Sequence, residues 1–207
     1  MKYEIKSFED ARLLVWELTE SIEILKEQLD LSECDNVKLA KIVSEKRKLE
    51  FLGTRVALKA LLGKEIQVEY DEYGKPHLLD RSYHISISHS NKWIAVMAHP
   101  TRKVGIDIEC PTDKIQKVYK RFLSIAEQED LSNGKDNRKL LLAWSAKEAL
   151  FKIIGKEAID FANQLRIFPF EIKSSSGEIK AQHIPTKSHY QLFYQQTEKY
   201  TLVYCLS

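Results

Sequence analysis

Val104-Gly105-Ile106-Asp107-Ile108-Glu109 alternates apolar and acidic residues with a period of two. That period is a strand's, so Asp107 and Glu109 project from one face while Ile106 and Ile108 point to the other. The order of elements on either side of this strand is similar. Upstream, helical patterns lead into an alternating stretch, and downstream the same succession begins again. The expected fold is therefore α+β, with two similar lobes, each of helices packed on a small antiparallel sheet.

Upstream, residues 11–29 place Leu14, Leu18, Ile22 and Leu25 at helical spacing. A second helix is expected from Val37 to Leu62, with Leu39, Ile42, Leu49, Leu52, Val56 and Leu61 inward and Gly63 as its stop. EIQVEY then reads as a short strand, and DEYGKP as a turn punctuated by Gly74 and Pro76. His84–His89 and WIAVMAH, joined at Asn91-Lys92, read as a hairpin. The polar connector HPTRK gives a boundary between lobes 1–101 and 102–207. Downstream, Lys114–Phe122 looks helical, and Ser124-x-x-Glu127 is a capping box opening a short helix. Residues 135–155 form the strongest helical pattern of this half, and LRIFPFEI, EIKAQHI, HYQLFYQQ and YTLVYCL read as antiparallel strands.

With 207 residues, 43% of them hydrophobic, the chain can bury a core. Its 32 basic and 30 acidic residues nearly cancel, which argues against a nucleic-acid binder. Cys34, Cys110 and Cys205 are far apart and form no zinc-like spacing, as suits a reduced compartment. The charged N-terminus and the lack of a long apolar run predict a soluble, cytoplasmic protein.

Two carboxylates on one strand face repel each other unless a cation stands between them, and Mg²⁺ suits a few carboxylate oxygens together with phosphates and water. A strand with one wet face would look the same. Glu148, in Trp144-Ser145-Ala146-Lys147-Glu148-Ala149-Leu150-Phe151-Lys152, borders an apolar stripe of Leu140, Leu141, Trp144 and Phe151. A carboxylate there needs a partner, and an i,i+4 pair with Lys152 would supply one.

Tyr73-Gly74-Lys75-Pro76 offers a backbone turn and a lysine to a phosphate, or is an ordinary surface turn. His89, flanked by Ser88 and Ser90, could hold a phosphate at a loop mouth, whereas His77, His84, His99, His183 and His189 have no comparable setting. No G-x-S-x-G elbow accompanies these serines. Arg47 and Arg55 lie eight apart, on one helix face about 12 Å apart along the axis. They would make a phosphate clamp or a solvated face.

In this order, Y-G-K-P, S-x-S-H-S, V-G-I-D-I-E and W-S-A-K-E-A-L-F-K resemble the phosphopantetheinyl transferases, and more narrowly their surfactin-synthetase-activating, two-lobe type. The motifs run from Tyr73 to Lys152; G-x-D-x-E followed by W-x-x-K-E is the specific combination. The resemblance implies that Asp107, Glu109 and Glu148 hold Mg²⁺ and that Lys152 contacts a phosphate. It implies that Glu148 is the base, directly or through water, for the serine of an apo acyl or peptidyl carrier protein. It also implies that Gly74, Lys75, Pro76, Ser88 and His89 line a coenzyme A site, with His89 near the 3′-phosphate. Arg47 and Arg55 are the candidate N-terminal basic contacts. The implied reaction moves the 4′-phosphopantetheine arm and releases 3′,5′-ADP, in an enzyme expected to act as a monomer. The alternative is a non-catalytic protein of the same fold that binds coenzyme A or a carrier domain, which would be expected to lack part of the carboxylate trio with Lys152.

Overall fold

The computed structural model describes residues 3–131, 135–155 and 159–207. They divide into two compact units, Met1–Thr101 and Arg102–Ser207. Both are α+β with antiparallel sheets.

In the first unit, β1 (Tyr3–Phe8) and β2 (Ala11–Glu17) form a hairpin. Its turn residues, Glu9 and Asp10, have φ of 44° and 62°. The stretch 11–29, expected as one helix, thus begins as a strand, Ala11–Glu17. Leu13, Leu14, Val15 and Trp16, which alternate between the two faces of the strand, are all buried, and β2 runs between β1 and β6 (Trp93–His99) in the sheet. A strand buried on both faces loses the alternation that would mark it. Only α1 (Ile22–Glu27) is helical here, and it begins where the Ser21 hydroxyl accepts the Ile24 N–H.

The single helix expected from Val37 to Leu62 is two helices, α2 (Glu33–Lys41) and α3 (Glu45–Leu62). The break falls where Ile42 leaves the helical region and Ser44 caps α3 by accepting the Arg47 N–H. Gly63, with φ of 69°, ends α3 in a left-handed conformation. β3 (Val68–Tyr70) and β4 (Pro76–Leu78) pair as a small ribbon. β5 (His84–Ser90) pairs with β6 through the Asn91-Lys92 turn, giving the sheet order β1-β2-β6-β5. α3 packs on this sheet at Gly53, where a Cβ would stand 2.5 Å from Ile94 Cδ1. Leu14, Trp16, Leu52, Val56, Ile94 and Val96 are among the core residues of this layer, and each large side chain so buried contributes about 1.5–3 kcal/mol.

In the second unit, β7 (Val104–Glu109) is followed by α4 (Ile115–Val118) and a 3₁₀ turn at Tyr119–Arg121. α5 (Ile125–Leu131) opens on the expected capping box: Ser124 N–H donates to Glu127 Oε2 at 2.8 Å, and Glu127 N–H to Ser124 Oγ at 3.3 Å. α6 (Asn137–Ile154) is capped by Asp136 and stopped by Gly155 at φ 61°. After α7 (Phe161–Gln164) come β8 (Leu165–Ile167), β9 (Ser176–His183), β10 (Ser188–Gln196) and β11 (Thr201–Leu206). The sheet order is β7-β11-β10-β9-β8, all antiparallel. α6 lies on one face of it, burying Leu142, Ala146, Ala149, Leu150 and Ile153 among Leu192, Tyr194, Val203 and Cys205.

Candidate active site

Gly105 positions the acidic strand against α6. A Cβ there would collide with the Ala149 carbonyl oxygen and stand 2.9 Å from Ile153 Cγ1, so the missing side chain is what lets the helix backbone approach β7. Residues 105, 107 and 109 share a strand face. Asp107 and Glu109 therefore lie on the side that α6 covers. At the far end, Trp144 Nε1–H donates to Glu109 Oε1 at 3.2 Å. Trp144 is itself held edge-on to Phe122, with ring centroids 5.1 Å apart, and lies 5.8 Å from Phe161.

Lys152 does not serve mainly as an i,i+4 partner of Glu148. Its ammonium donates to the Ile106 carbonyl at 2.8 Å and to Asp107 Oδ1 at 3.0 Å. Asp107 is only 4% exposed, so this is a largely desolvated contact. Glu148 is half-buried on the same helix. Burial first, and then the negative charge of Asp107, push its pKa up to about 7; Lys152 opposes the shift and Glu109 adds to it. Spacing alone could not join Glu148 to the acidic strand, but the fold makes the three carboxylates feel one another.

Among the described residues no group of three or more acidic, histidine or cysteine side chains is arranged so that it could hold a metal ion. In chemical type, though, carboxylate oxygens are the donors that a hard divalent cation prefers. Such oxygens stand on two elements here, and a bound cation would offset both the burial that chiefly raises Glu148 and the smaller push from Asp107 and Glu109. Mg²⁺ in particular is held by a few carboxylates with water and phosphate rather than by a complete protein cage.

A second charged group in the same helix was not singled out from sequence. Lys147 is fully buried, and its ammonium meets Glu127 Oε2 at 2.8 Å and the carbonyls of Phe122, Phe161 and Leu165 at 2.7–2.8 Å. Glu127 in turn accepts the Ile167 N–H at 2.7 Å. Burial lowers the Lys147 pKa, against the pull of Glu127. The signal that could have exposed it is positional: Lys147 replaces an apolar residue in the stripe Leu140, Ala143, Leu150, Ile154.

The remaining candidates lie in the first unit. Gly74, with φ of 79°, turns the loop between β3 and β4, and Asp71 Oδ1 accepts the N–H groups of Tyr73 and Lys75. Pro76 pairs with Tyr70 where β4 begins, and β4 lies beside β5. On β5, Ser88 is buried, while His89 is exposed with Nδ1 3.5 Å from Glu50 Oε1 of α3. Arg47 is exposed in the first turn of α3.

Arg55 departs from expectation. It is 2% exposed, with Nε and Nη2 on Asp35 Oδ1 at 3.1 and 2.8 Å and Nη1 on the Phe51 carbonyl at 3.1 Å. Its guanidinium lies 3.4 Å from the Phe51 ring centroid. It ties α2 to α3 rather than forming a clamp with Arg47. The eight-residue spacing suggested one face, but the helix break that brings α2 back over α3 buries one end of it.

Residues 103–205 match the family model of the 4′-phosphopantetheinyl transferase superfamily. The chain is 37% identical over 89 residues to the 4′-phosphopantetheinyl transferase of Bacillus subtilis, covering 41% of this chain and 39% of that protein. It is 32% identical over 121 residues to the 4′-phosphopantetheinyl transferase HetI of Nostoc sp., covering 51% of each. The chain thus spans about half or less of the length of these curated relatives. The matched stretch contains β7, α6 and all three carboxylates, and through it the chain belongs to the 4′-phosphopantetheinyl transferase superfamily.

Proposed function

We propose that this chain is a Mg²⁺-dependent 4′-phosphopantetheinyl transferase of the surfactin-synthetase-activating type. It transfers the phosphopantetheine arm of coenzyme A to a serine of an apo acyl or peptidyl carrier protein. The observation that carries this reading is the coupling of Glu148 on α6 to Asp107 and Glu109 on β7, within the stretch matched by the family.

Asp107, Glu109 and Glu148 would hold the cation, which when bound neutralises diphosphate charge and supports the leaving group. Glu148 is the proposed base for the proton of the carrier serine, directly or through a water. The serine oxygen bonds to the phosphorus that carries pantetheine. The bond from that phosphorus to the bridging oxygen breaks, and 3′,5′-ADP departs with that oxygen. Lys152, fixed against Asp107 and the Ile106 carbonyl, places positive charge at the edge of the acidic set. Such transfer depends on positioning and charge compensation rather than on a protein nucleophile. Gly74, Lys75, Pro76, Ser88, His89 and Arg47 are the proposed coenzyme A contacts of the first unit, with His89 toward the 3′-phosphate. Arg55 is left out because its guanidinium is committed to Asp35 and Phe51.

Intact-mass spectrometry of apo carrier proteins incubated with the protein, coenzyme A and Mg²⁺ tests the reading. The expected result is gain of the phosphopantetheine mass by at least one carrier, abolished by chelator and by Glu148→Gln. If a broad panel of carriers shows no gain while coenzyme A binds tightly, the non-catalytic binding protein is the better account.

A further inference from the structure

Ser145 is fully buried in α6, and its hydroxyl has no hydrogen-bond partner among the described residues. A helical serine usually spends its hydroxyl on the carbonyl four residues back, which here would be Leu141. That exit is not taken. A buried hydroxyl with one donor and two acceptor sites unused is rare in a native interior.

Its position gives the orphan a neighbour. Ala149 backs onto Gly105 and Trp144 reaches Glu109, so α6 runs antiparallel to β7. Ser145 precedes Ala149 by four residues, about 6 Å along the axis. Asp107 follows Gly105 by two strand residues, about 6.6 Å in the matching direction. The two steps carry Ser145 and Asp107 to the same level. Ser145 also shares the sheet-facing side of α6 with Leu142 and Ala149, at i−3 and i+4. Rotation about χ1 alone moves a serine hydroxyl among three staggered positions, so no backbone shift is needed to turn it toward the strand.

We propose that Ser145 is a positioning residue for the cation-holding carboxylates. When the cation binds, the Ser145 hydroxyl turns about χ1 and donates a hydrogen bond to the Asp107 carboxylate, fixing which lone pairs of that group are presented to the ion. The inference rests on the proposed reading that Asp107, Glu109 and Glu148 bind such a cation. Partners that orient ligating carboxylates alter metal affinity by about 10–100-fold when removed.

The experiment is a Mn²⁺ titration followed by the electron paramagnetic resonance signal of free Mn²⁺, with coenzyme A present and no carrier, so that no turnover occurs. Ser145→Ala and the near-isosteric but poorly donating Ser145→Cys should each weaken Mn²⁺ binding about tenfold. The melting temperature of Ser145→Ala in chelator should stay at or above that of the wild type, because a hydroxyl without a partner contributes no bond to lose. Unchanged Mn²⁺ affinity in both variants would overturn the inference. So would a weakening that appears only together with lost stability in chelator, which marks a structural hydroxyl. Those failures leave the transferase reading intact if the wild type still binds Mn²⁺. Absence of Mn²⁺ binding by the wild type itself would remove the cation site and the role of Ser145 together.

Discussion

The carbonyl oxygen of Ala149 occupies the space that a side chain on Gly105 would need. That contact brings a helix backbone, not merely side-chain tips, down on the acidic strand, and everything at the site is registered from it. Gly105→Ala should therefore fail in a way that an ordinary glycine substitution does not. The obstruction is backbone and Ile153, neither of which can swing aside. We expect a loss of about 3 kcal/mol or more, at the upper end of overpacking costs, seen as a lower urea midpoint. Mg²⁺-dependent transfer should fall with it even at temperatures where the variant remains folded.

Arg55 and Arg47 should separate cleanly. Removing one partner of a buried ion pair costs about 3–5 kcal/mol, so Arg55→Met should lower the melting temperature strongly, and Asp35→Ala should do the same. Arg47→Ala, at an exposed first-turn position, should leave stability within about 0.5 kcal/mol and raise the KM for coenzyme A. Denaturation and steady-state kinetics on the same preparations decide it: a destabilised Arg47→Ala with unchanged KM would reverse the assignment.

Most of the second unit was legible because its signals are local. The Ser124–Glu127 box, the Gly155 stop and the alternation of β7 each depend on residues within a few positions of one another. The first unit misled where local signals were silent. The turn at Glu9-Asp10 adopts positive φ without a glycine to announce it. β2 is buried on both faces and so shows no alternation, and its Leu14 fell by chance into a helical spacing with Leu18, Ile22 and Leu25 beyond the strand. Asp107 and Glu109 could be paired from sequence, yet their coupling to Glu148 spans some forty positions of chain and depends on Gly105 fitting under Ala149. The place of Lys147 in an apolar stripe was there to be read, but its partners were not: three of them are backbone carbonyls, which no side-chain pattern records.

Lys147 makes four contacts, with the chain between β7 and α5, with α5 itself, with α7 and with β8, from one buried ammonium. Lys147→Met should cost about 3–5 kcal/mol, since it strands the Glu127 carboxylate in the interior. Glu127→Gln should cost a comparable amount, because it leaves the buried Lys147 ammonium without its counter-charge and turns an amide NH₂ toward donors that the carboxylate accepts from. A double-mutant cycle measured by urea denaturation should show a coupling of at least 1 kcal/mol. Additive single effects would mean that the pair does not act as a unit. Because Lys147 adjoins Glu148 on α6, transfer should weaken in Lys147→Met even where the variant is fully folded.

The raised pKa of Glu148 makes a signed prediction for the protein in chelator. Its ordinary value is 4.5 and its folded value about 7, so the fold prefers the protonated acid. By linkage, the stability this group contributes is fully present below about 4.5 and is lost as pH rises through about 7. The charged form is disfavoured first by burial and then by Asp107, and both penalties fall on the folded state alone. Glu148→Gln cannot ionise and so escapes them. The stability difference between wild type and Glu148→Gln, measured by urea denaturation at intervals from pH 4.5 to 8, should therefore move in favour of the variant as pH rises. Adding Mg²⁺ at pH 8 should shift it back toward the wild type, since the cation needs the carboxylate that the variant lacks. A pH-independent difference would mean that Glu148 titrates alike in the folded and unfolded chain, and that α6 and β7 do not hold the three acids in one field.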